Sequence, residues 1–333
     1  MNAPALVRTT AVLVLAAGMA ALPQRAHAVA YGDLDCVGGT CGNPNVVMLV
    51  GILRSGDFDY GTYAHCSGSL MGKYTGADQQ AYYLFLTAGH CTWAWGQGLA
   101  GGWLGSVGVS FDPAPAKLPD YVLYRFDPAA FAQGGSPVTQ NDYGPVGAWN
   151  LIIDYGAVSV PAYSVEAKWP QAAQIAPVIL APDIAFKLDT LVKSFKYPLK
   201  DLRFHAAGYG ITEIKDLGSN AGGMNNNEVF DLGVRRVASN QLYTNLRPTL
   251  LQTGGNPVRD MDSLCGGDSG GPAFYQSGSQ KIQVGITSSG DRNCHSNNFF
   301  ARLDIAVAIN FLACIRTHAD NLPACGFLAN KPK

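Results

Sequence analysis

The sequence carries little charge, and neither sign is concentrated in one place. Only 14% of its 333 residues are charged, and 23 basic side chains stand against 24 acidic ones, for a formal net charge of -1. No run of lysine or arginine is present to hold a phosphate backbone, so we expect no nucleic-acid partner. A hydrophobic fraction of 47% excludes a disordered chain and is enough for a large core.

Helical periodicity is scarce, and alternation of strands with helices is absent. Apolar runs typical of strands occupy residues 46–53, 82–86 and 282–286, with turn-rich stretches between them. The pattern therefore predicts an all-β protein rather than a doubly wound sheet. Helical spacing is convincing only near the end, where a C-terminal helix is predicted from Ile305, Ile309, Leu312 and Ile315.

Apolar runs long enough to cross a membrane, about 20 residues, are absent. A shorter apolar run at 11–22 follows Arg8 and precedes Ala26-His27-Ala28, which is the order of a secretory signal peptide. We predict a signal peptide over residues 1–28, cleavage after Ala28 and a secreted product, extracellular or periplasmic, without a membrane span. An uncleaved anchor is the alternative.

Cysteine pairs with the C-x-x-C spacing of zinc sites are also absent. The cysteine count is even, and in an oxidising compartment such a set forms a disulfide framework. We therefore expect structural disulfides, no metal and no organic cofactor. Spacing alone does not choose among the possible pairings of Cys36, Cys41, Cys66, Cys91, Cys265, Cys294, Cys314 and Cys325.

One serine stands among glycines, in Cys265-Gly266-Gly267-Asp268-Ser269-Gly270-Gly271-Pro272. Glycines permit tight turns and the close approach of a substrate. In acyl transfer the attacked carbonyl becomes an oxyanion, and each N–H donor placed at that oxygen contributes roughly 3 to 4 kcal/mol. The segment therefore predicts Ser269 as a nucleophile, with the N–H groups of Gly267 and Ser269 as the oxyanion hole.

A serine nucleophile needs a base and a carboxylate that orients it. His90 is the predicted base because it follows an apolar strand, in Leu86-Thr87-Ala88-Gly89-His90-Cys91, beside a cysteine able to anchor its loop. Asp154 is the predicted carboxylate because a charge inside the apolar run 151–158 needs a partner. Asp127 and Asp142, in more polar surroundings, are the alternatives.

These segments together resemble the secreted chymotrypsin-like serine proteases, as a bacterial-type member. Residues 87–91, Asp154 and residues 267–272 occur in that family's order, and the resemblance runs from about residue 31 to 303. It implies all-β architecture with two six-stranded antiparallel barrels, residues 29–165 carrying His90 and Asp154 and residues 166–303 carrying Ser269. A C-terminal helix and disulfide-pinned tail follow over 304–333.

The resemblance further implies a secreted serine endopeptidase that cleaves protein or peptide substrates through an acyl-enzyme, and we expect a monomer. It pairs Cys66 with Cys91 and Cys265 with Cys294, which leaves Cys36 for Cys41 and Cys314 for Cys325. It also implies that a new N-terminal ammonium is buried against Asp268, the acid before the nucleophile. Cleavage after Ala28 would supply that ammonium from Val29; a start at Val37, within Cys36-Val37-Gly38-Gly39, is the alternative.

The same resemblance locates the substrate. Ser288 is expected to support the triad aspartate, and the substrate backbone is expected to pair, as an added strand, with Ser288, Ser289 and Gly290. The primary pocket has Ser263 at its floor and Asn298 narrowing its wall, so we expect an uncharged side chain at P1, the residue on the acyl side of the cleaved bond. Alternatively, Asp262 occupies the pocket and gives a preference for basic residues.

Two other functions fit parts of the sequence. Gly267-Asp268-Ser269-Gly270-Gly271 also satisfies the G-x-S-x-G pattern of α/β-hydrolase esterases, which requires a helix after the serine. A catalytically silent binding module could instead use the tryptophans of a predicted surface loop over 93–108. Further loops are predicted over 73–80 and 218–233.

Overall fold

The fold is known from a computed structural model that describes residues 32–115, 122–124, 132–133, 153–195, 199, 201–211, 233–256, 261–291 and 294–325. In chain order its strands are β1 Asp33–Leu34, β2 Cys36–Val37, β3 Thr40–Cys41, β4 Val46–Ser55, β5 Phe58–Thr75, β6 Ala81–Thr87, β7 Leu104–Ser110, β8 Val122–Tyr124, β9 Ala132–Gln133, β10 Gly156–Pro161, β11 Ile179–Leu180, β12 Arg203–Gly208, β13 Arg236–Leu246, β14 Leu250–Gly254, β15 Pro272–Ser277, β16 Gln280–Gly290 and β17 Asn297–Arg302. Its α-helices are α1 Gly89–Ala100, α2 Ala162–Lys168, α3 Leu188–Ser194 and α4 Ala306–Thr317. Short 3-10 turns cover Pro170–Gln174, Ala181–Ile184 and Leu322–Cys325.

The second half of the chain forms a closed antiparallel barrel of six strands. Their order is β13-β12-β15-β16-β17-β14, and β14 pairs back with β13. The predicted strand over 282–286 is part of β16, but it is not half-buried. Gln283 is as inaccessible to solvent as its apolar neighbours. The burial of its polar side chain is compensated by a hydrogen bond, which its oxygen accepts from the Ser69 hydroxyl of β5 at 2.9 Å.

The first half forms an antiparallel sheet of seven strands, in the order β8-β7-β4-β5-β6-β10-β9. Strand β4 lies between β5 and β7, which explains its continuous apolar sequence. The mostly β, two-barrel fold class is confirmed, but over the described residues this sheet is a half-barrel and not the closed six-stranded barrel of the prediction. Among the described residues, its edge strands β8 and β9 comprise three and two residues, and no pairing joins them.

The first described strand, β1, belongs to the sheet of the second barrel. Asp33 pairs with Val237, so β1 extends the second sheet even though the predicted first barrel began at residue 29. Just after β1, the buried Asp35 carboxylate accepts a hydrogen bond from the buried Arg235 guanidinium at 2.7 Å. Since an unpaired buried charge is costly, this ion pair ties the N-terminal segment to the residue that precedes β13.

The prediction of a surface loop over residues 93–108 is wrong. Helix α1 covers its first part, and β7 begins at Leu104. Gly98 permits this packing because a Cβ there would lie 2.4 Å from a Leu104 methyl group. Trp95 is fully buried in the core of the first sheet, while Trp103 is 39% exposed. The predicted loop at 73–80 begins only after β5 ends at Thr75, and most of the one at 218–233 lies outside the described residues.

The C-terminal helix is confirmed as α4, which packs on the first sheet. Its buried residues are Ala308, Phe311, Leu312 and Ile315. Ile305 precedes the helix, and Ile309 is only partly buried, so the buried face is rotated from the predicted one. The rings of Phe311 and Tyr155 stack with centroids 5.9 Å apart.

Four disulfides are formed in the structure. They join Cys66 to Cys91 and Cys265 to Cys294, the two pairs that the family resemblance implies. They also join Cys36 to Cys41 and Cys314 to Cys325, the pairs expected from the cysteines that remained. Over the described ranges, none of the helices combines the length and apolar character needed to cross a bilayer.

Candidate active site

His90 lies in the first turn of α1, rather than in the predicted loop. Ala88 caps this helix without a side-chain hydrogen bond, so the first-turn N–H groups need another acceptor. Asp154 provides one, because its Oδ1 accepts the His90 backbone N–H at 2.9 Å. Its Oδ2 lies 2.8 Å from the ring Nδ1 of the same histidine. One carboxylate therefore both caps the helix and orients the imidazole.

Asp154 is completely buried and lies just before β10, not within a strand as the sequence predicted. Ser288 donates a third hydrogen bond to this carboxylate, at 2.7 Å to Oδ2. The close approach of α1 requires glycine at residue 89, since a Cβ there would lie 2.8 Å from the Tyr155 carbonyl oxygen. The alternative carboxylates, Asp127 and Asp142, lie outside the described residues.

The electrostatics of the pair favour the ionised carboxylate. Burial lowers the pKa of the His90 imidazole, but the charge of Asp154 and the hydrogen bond to it outweigh burial and leave that pKa raised. Burial raises the pKa of the Asp154 carboxyl, but His90 and Ser288 more than offset this and leave it lowered. The carboxylate is therefore suited to stabilise an imidazolium formed beside it.

Ser269 stands in a tight turn, and β15 begins three residues later at Pro272. The next residue, Gly270, has a φ of 85°, and a Cβ on it would lie 2.0 Å from the Thr87 hydroxyl oxygen, so only glycine fits. Ser269 and His90 line the same cleft, whose volume is about 380 Å³. No hydrogen bond between the Ser269 hydroxyl and the His90 ring occurs in the described part of the chain.

The backbone beside Ser269 is held in place by a serine of the first sheet. The Ser67 hydroxyl donates a hydrogen bond to the Gly267 carbonyl at 2.9 Å and accepts one from the Tyr209 N–H at 2.9 Å. The Ser67 N–H donates to the Ser269 carbonyl at 2.7 Å. Within the described residues, the N–H groups of Gly267 and Ser269 donate to no protein atom. Both remain available to a ligand oxygen.

The sequence reasoning missed this role of Ser67. No local signal points to it, because Ser67 and Gly267 are 200 residues apart in the chain.

The comparisons with known proteins bear on the half of the site that contains Ser269. Residues 198–313 match the Trypsin family model. The match supports a trypsin-like serine protease. It covers about a third of the chain and includes Ser269 and Ser288, while His90 and Asp154 precede it. No curated protein matches the chain.

Within the segment that matches the family model, Asp268 is fully buried beside the serine turn. Its carboxylate accepts hydrogen bonds from the N–H groups of Gly210 at 2.8 Å and Cys265 at 2.9 Å. Burial outweighs both bonds and raises the pKa of Asp268 to about 7. Its predicted partner, Val29, lies outside the described residues.

The predicted substrate-binding residues fall into two groups. Ser288, Ser289 and Gly290 line the cleft. Ser263 and Asn298 are fully buried and do not line it. The lining instead includes Leu264, whose place the sequence did not predict.

Within the described residues, two groups of three side chains have the spacing of metal ligands. One group is Cys66, His90 and Cys91, and the other is Asp35, Cys36 and Cys41. Both depend on disulfide sulfurs, which have no thiolate to offer a metal.

Proposed function

We propose that the protein, after removal of residues 1–28, is a secreted serine endopeptidase that acts as a monomer on protein or peptide substrates. The observation that carries this proposal is the placement of Asp154, which holds the ring and the backbone of His90 beside the cleft that Ser269 also lines. The disulfides are in keeping with an oxidising compartment. We further propose a bacterial-type member of the family.

In the proposed reaction, His90 Nε2 takes the hydroxyl proton as Ser269 Oγ attacks the peptide carbonyl. The carbonyl oxygen becomes negative and is stabilised by the N–H groups of Gly267 and Ser269. His90 then gives its proton to the leaving amine, which breaks the C–N bond and leaves an acyl-enzyme. Water, deprotonated by His90, hydrolyses the ester and restores Ser269.

We propose that the substrate backbone lies along the end of β16. Strand β15 pairs with β16 only as far as Ile286, and the Thr287 N–H and C=O are bonded to the serine turn. Beyond that point the edge facing the cleft carries no strand within the described chain, while β17 pairs with the other edge. An extended peptide could add there next to Ser289 and Gly290.

Labelling with a fluorophosphonate probe tests the proposed nucleophile. The folded, processed protein is expected to be labelled at Ser269, because the probe reacts only with an activated serine. The label, located by peptide mass spectrometry, is expected to disappear in His90→Ala and to remain in His205→Ala, which alters a histidine of β12. Absence of labelling in the folded wild type would favour the silent binding module. The esterase alternative is disfavoured because β15, not a helix, follows the serine turn.

We also propose that the Val29 ammonium pairs with Asp268 after signal cleavage. Strand β1 lies four residues after Val29 and pairs with β13. Asp262, six residues before Asp268, is close enough to Asp33 of β1 for that charge to raise its pKa, although burial is the larger cause. The chain start is thereby directed towards the segment that contains Asp268. The alternative start at Val37 lies inside the disulfide-closed hairpin of β2 and β3.

The pH dependence of stability tests this pairing. In a form extended before Val29, Asp268 has no ammonium partner, and its pKa of about 7 exceeds the unfolded value. The folded state then holds the proton more tightly, so stability falls as pH rises from about 4 to about 7. The form beginning at Val29 is expected to avoid most of this loss, with a Tm advantage of about 5 °C or more at about pH 8 and little at about pH 4.

Thermal unfolding of both forms provides the measurement, and Asp268→Asn in the extended form should flatten its pH dependence. Identical pH profiles for the extended and processed forms, or an active secreted protein that starts at another residue, would remove the pairing.

A further inference from the structure

We infer that the Ser67 hydroxyl is a positioning group for catalysis. It holds the Gly267 carbonyl from the opposite barrel and thereby fixes the arrangement of the two proposed oxyanion donors, the N–H groups of Gly267 and Ser269. The inference rests on the proposed peptidase function and adds a residue on which its rate depends. The hydroxyl bonds to backbone atoms and not to the nucleophile, so its effect acts through the turn that contains Ser269.

The turn has little rigidity of its own. One peptide unit, which joins Gly267 to Asp268, lies between the two peptide units that contain the donors, so its orientation sets how the two N–H groups point relative to each other. Gly267 has a φ of 97°, in the region that glycine adopts freely, and Gly266 precedes it. Because glycine permits many conformations, hydrogen bonds rather than steric limits must fix this peptide unit.

Hydrogen bonds hold that peptide unit at both ends. Its N–H donates to the Cys265 carbonyl at 3.1 Å, and its carbonyl accepts from the Ser67 hydroxyl at 2.9 Å. The first bond is local, because Cys265 and Asp268 are three residues apart, and it moves with the turn. The second bond comes from β5, so it fixes the turn relative to the first sheet.

Ser67 is tied to the proposed base as well. The preceding residue, Cys66, is bridged by a disulfide to Cys91, which follows His90. The Ser67 carbonyl accepts a hydrogen bond at 2.8 Å from the hydroxyl of Thr87, at the end of β6. Ser67 therefore contacts both the oxyanion turn and the segment that leads into α1. Its hydroxyl places the donors of the second barrel relative to the base of the first.

The hydroxyl is held in one orientation. It accepts the Tyr209 N–H at 2.9 Å, which directs its own proton to the Gly267 carbonyl. Ser67 is fully buried, so removal of the hydroxyl would leave an N–H group and a carbonyl without partners away from solvent. The Gly267 peptide would then reorient to recover a hydrogen bond, and the arrangement of the two donors would change.

Other bonds keep the turn folded when the hydroxyl is removed. The Ile211 N–H donates to the Gly266 carbonyl at 2.9 Å, and the Gly210 N–H donates to the Asp268 carboxylate at 2.8 Å. The backbone N–H of Ser67, which bonds to the carbonyl of the nucleophile at 2.7 Å, is unaffected. Loss of the hydroxyl should therefore misplace the donors without unfolding the turn.

Substitution of Ser67 by alanine tests the inference. In the processed protein, Ser67→Ala is expected to lower kcat for a peptide that the wild type cleaves by at least about 10-fold, with KM within about 2-fold of the wild-type value. Outright loss of one oxyanion donor costs about 100- to 1000-fold, so the effect of a displaced donor should be smaller. A peptide boronic acid, whose tetrahedral adduct with Ser269 places an oxygen at these donors, should inhibit the variant at least about 10-fold more weakly.

Ser69→Ala is the matched control. Ser69 is also fully buried in β5, and its hydroxyl likewise reaches the second barrel, where it donates to Gln283 at 2.9 Å. Neither Ser69 nor Gln283 is among the described residues that line the cleft. The control should lose thermal stability as Ser67→Ala does, while its kcat and its inhibition by the boronic acid stay close to wild type. Equal losses of kcat in the two variants would show that Ser67 acts only through stability and would overturn the inference.

The pH profile distinguishes an effect on the donors from an effect on the base. In the part of the chain that the structure describes, Ser67 makes no hydrogen bond to His90 or Asp154. Ser67→Ala should therefore lower the plateau of kcat/KM without moving its acid midpoint, and a shifted midpoint would count against the inference. If Ser67→Ala does not fold, Ser67→Gly is compared with Ser69→Gly by the same measurements, and the same outcomes decide.

Fluorophosphonate labelling of the wild type separates this inference from the proposed function. Labelled wild type whose kcat is unchanged by Ser67→Ala would refute the positioning role alone. Folded wild type that is not labelled would refute the peptidase proposal, and the inference with it.

Discussion

Ser269→Ala is expected to lower kcat for peptide hydrolysis by about 10⁶-fold. The substitution removes the only atom proposed to form the acyl-enzyme, while the Ser67 contacts that shape the turn involve backbone atoms of Gly267 and Ser269 and should persist. The oxyanion donors should remain, so a residual rate of about 10³-fold over water is expected. The measurement is single-turnover hydrolysis of a peptide that the processed wild type cleaves.

The loss should be specific to the site. Ser277→Ala, at the exposed end of β15, makes the same chemical change away from the cleft and should keep wild-type activity. Combining Ser269→Ala with His90→Ala should lower kcat little further, since groups that act as a unit are not additive. A Ser269→Ala protein that retained more than about one hundredth of wild-type kcat would contradict the assignment of the nucleophile.

The sequence predicted those parts of the site that depend on chemistry between chain neighbours. His90 follows an apolar strand and precedes a cysteine, and Ser269 sits among glycines that its turn demands, as the clash at Gly270 shows. Requirements of this kind restrict which residues can be neighbours in the sequence, so the sequence alone indicates them. Asp154 could be predicted in the same way, because it is an acidic residue inside an apolar run of the sequence.

Other features depend on groups that are far apart in the chain, and no pattern among neighbouring residues indicates them. Helix α1 was not predicted, because its segment contains several glycines and no local capping residue. Its first-turn N–H is instead capped by Asp154, 64 residues later in the sequence. The buried hydrogen bond between the Asn298 and Gln241 amides likewise joins residues 57 apart in the chain.

Asp154→Asn is expected to lower kcat by about 10⁴-fold with little change in fold. In the wild type, three donors converge on the carboxylate: the His90 N–H, the His90 ring and the Ser288 hydroxyl. An asparagine offers one oxygen and one NH₂ group to the same three donors. When the oxygen stays with the backbone N–H that caps α1, the NH₂ group faces the ring, which must then carry its proton on Nε2. That tautomer has no lone pair for the Ser269 proton.

The pH profile separates this effect from a loss of structure. Asp154 raises the pKa of His90 against the opposing effect of burial, and catalysis needs the neutral imidazole, so wild-type kcat/KM should fall as pH drops through that raised pKa. Without the carboxylate charge only burial remains, and the acid limb of the Asp154→Asn profile should move to lower pH while the plateau stays depressed. Asp183→Asn, which alters an ion pair with Arg316 remote from the cleft, should shift neither. An Asp154→Asn profile with the wild-type midpoint would mean that another group sets the protonation of His90.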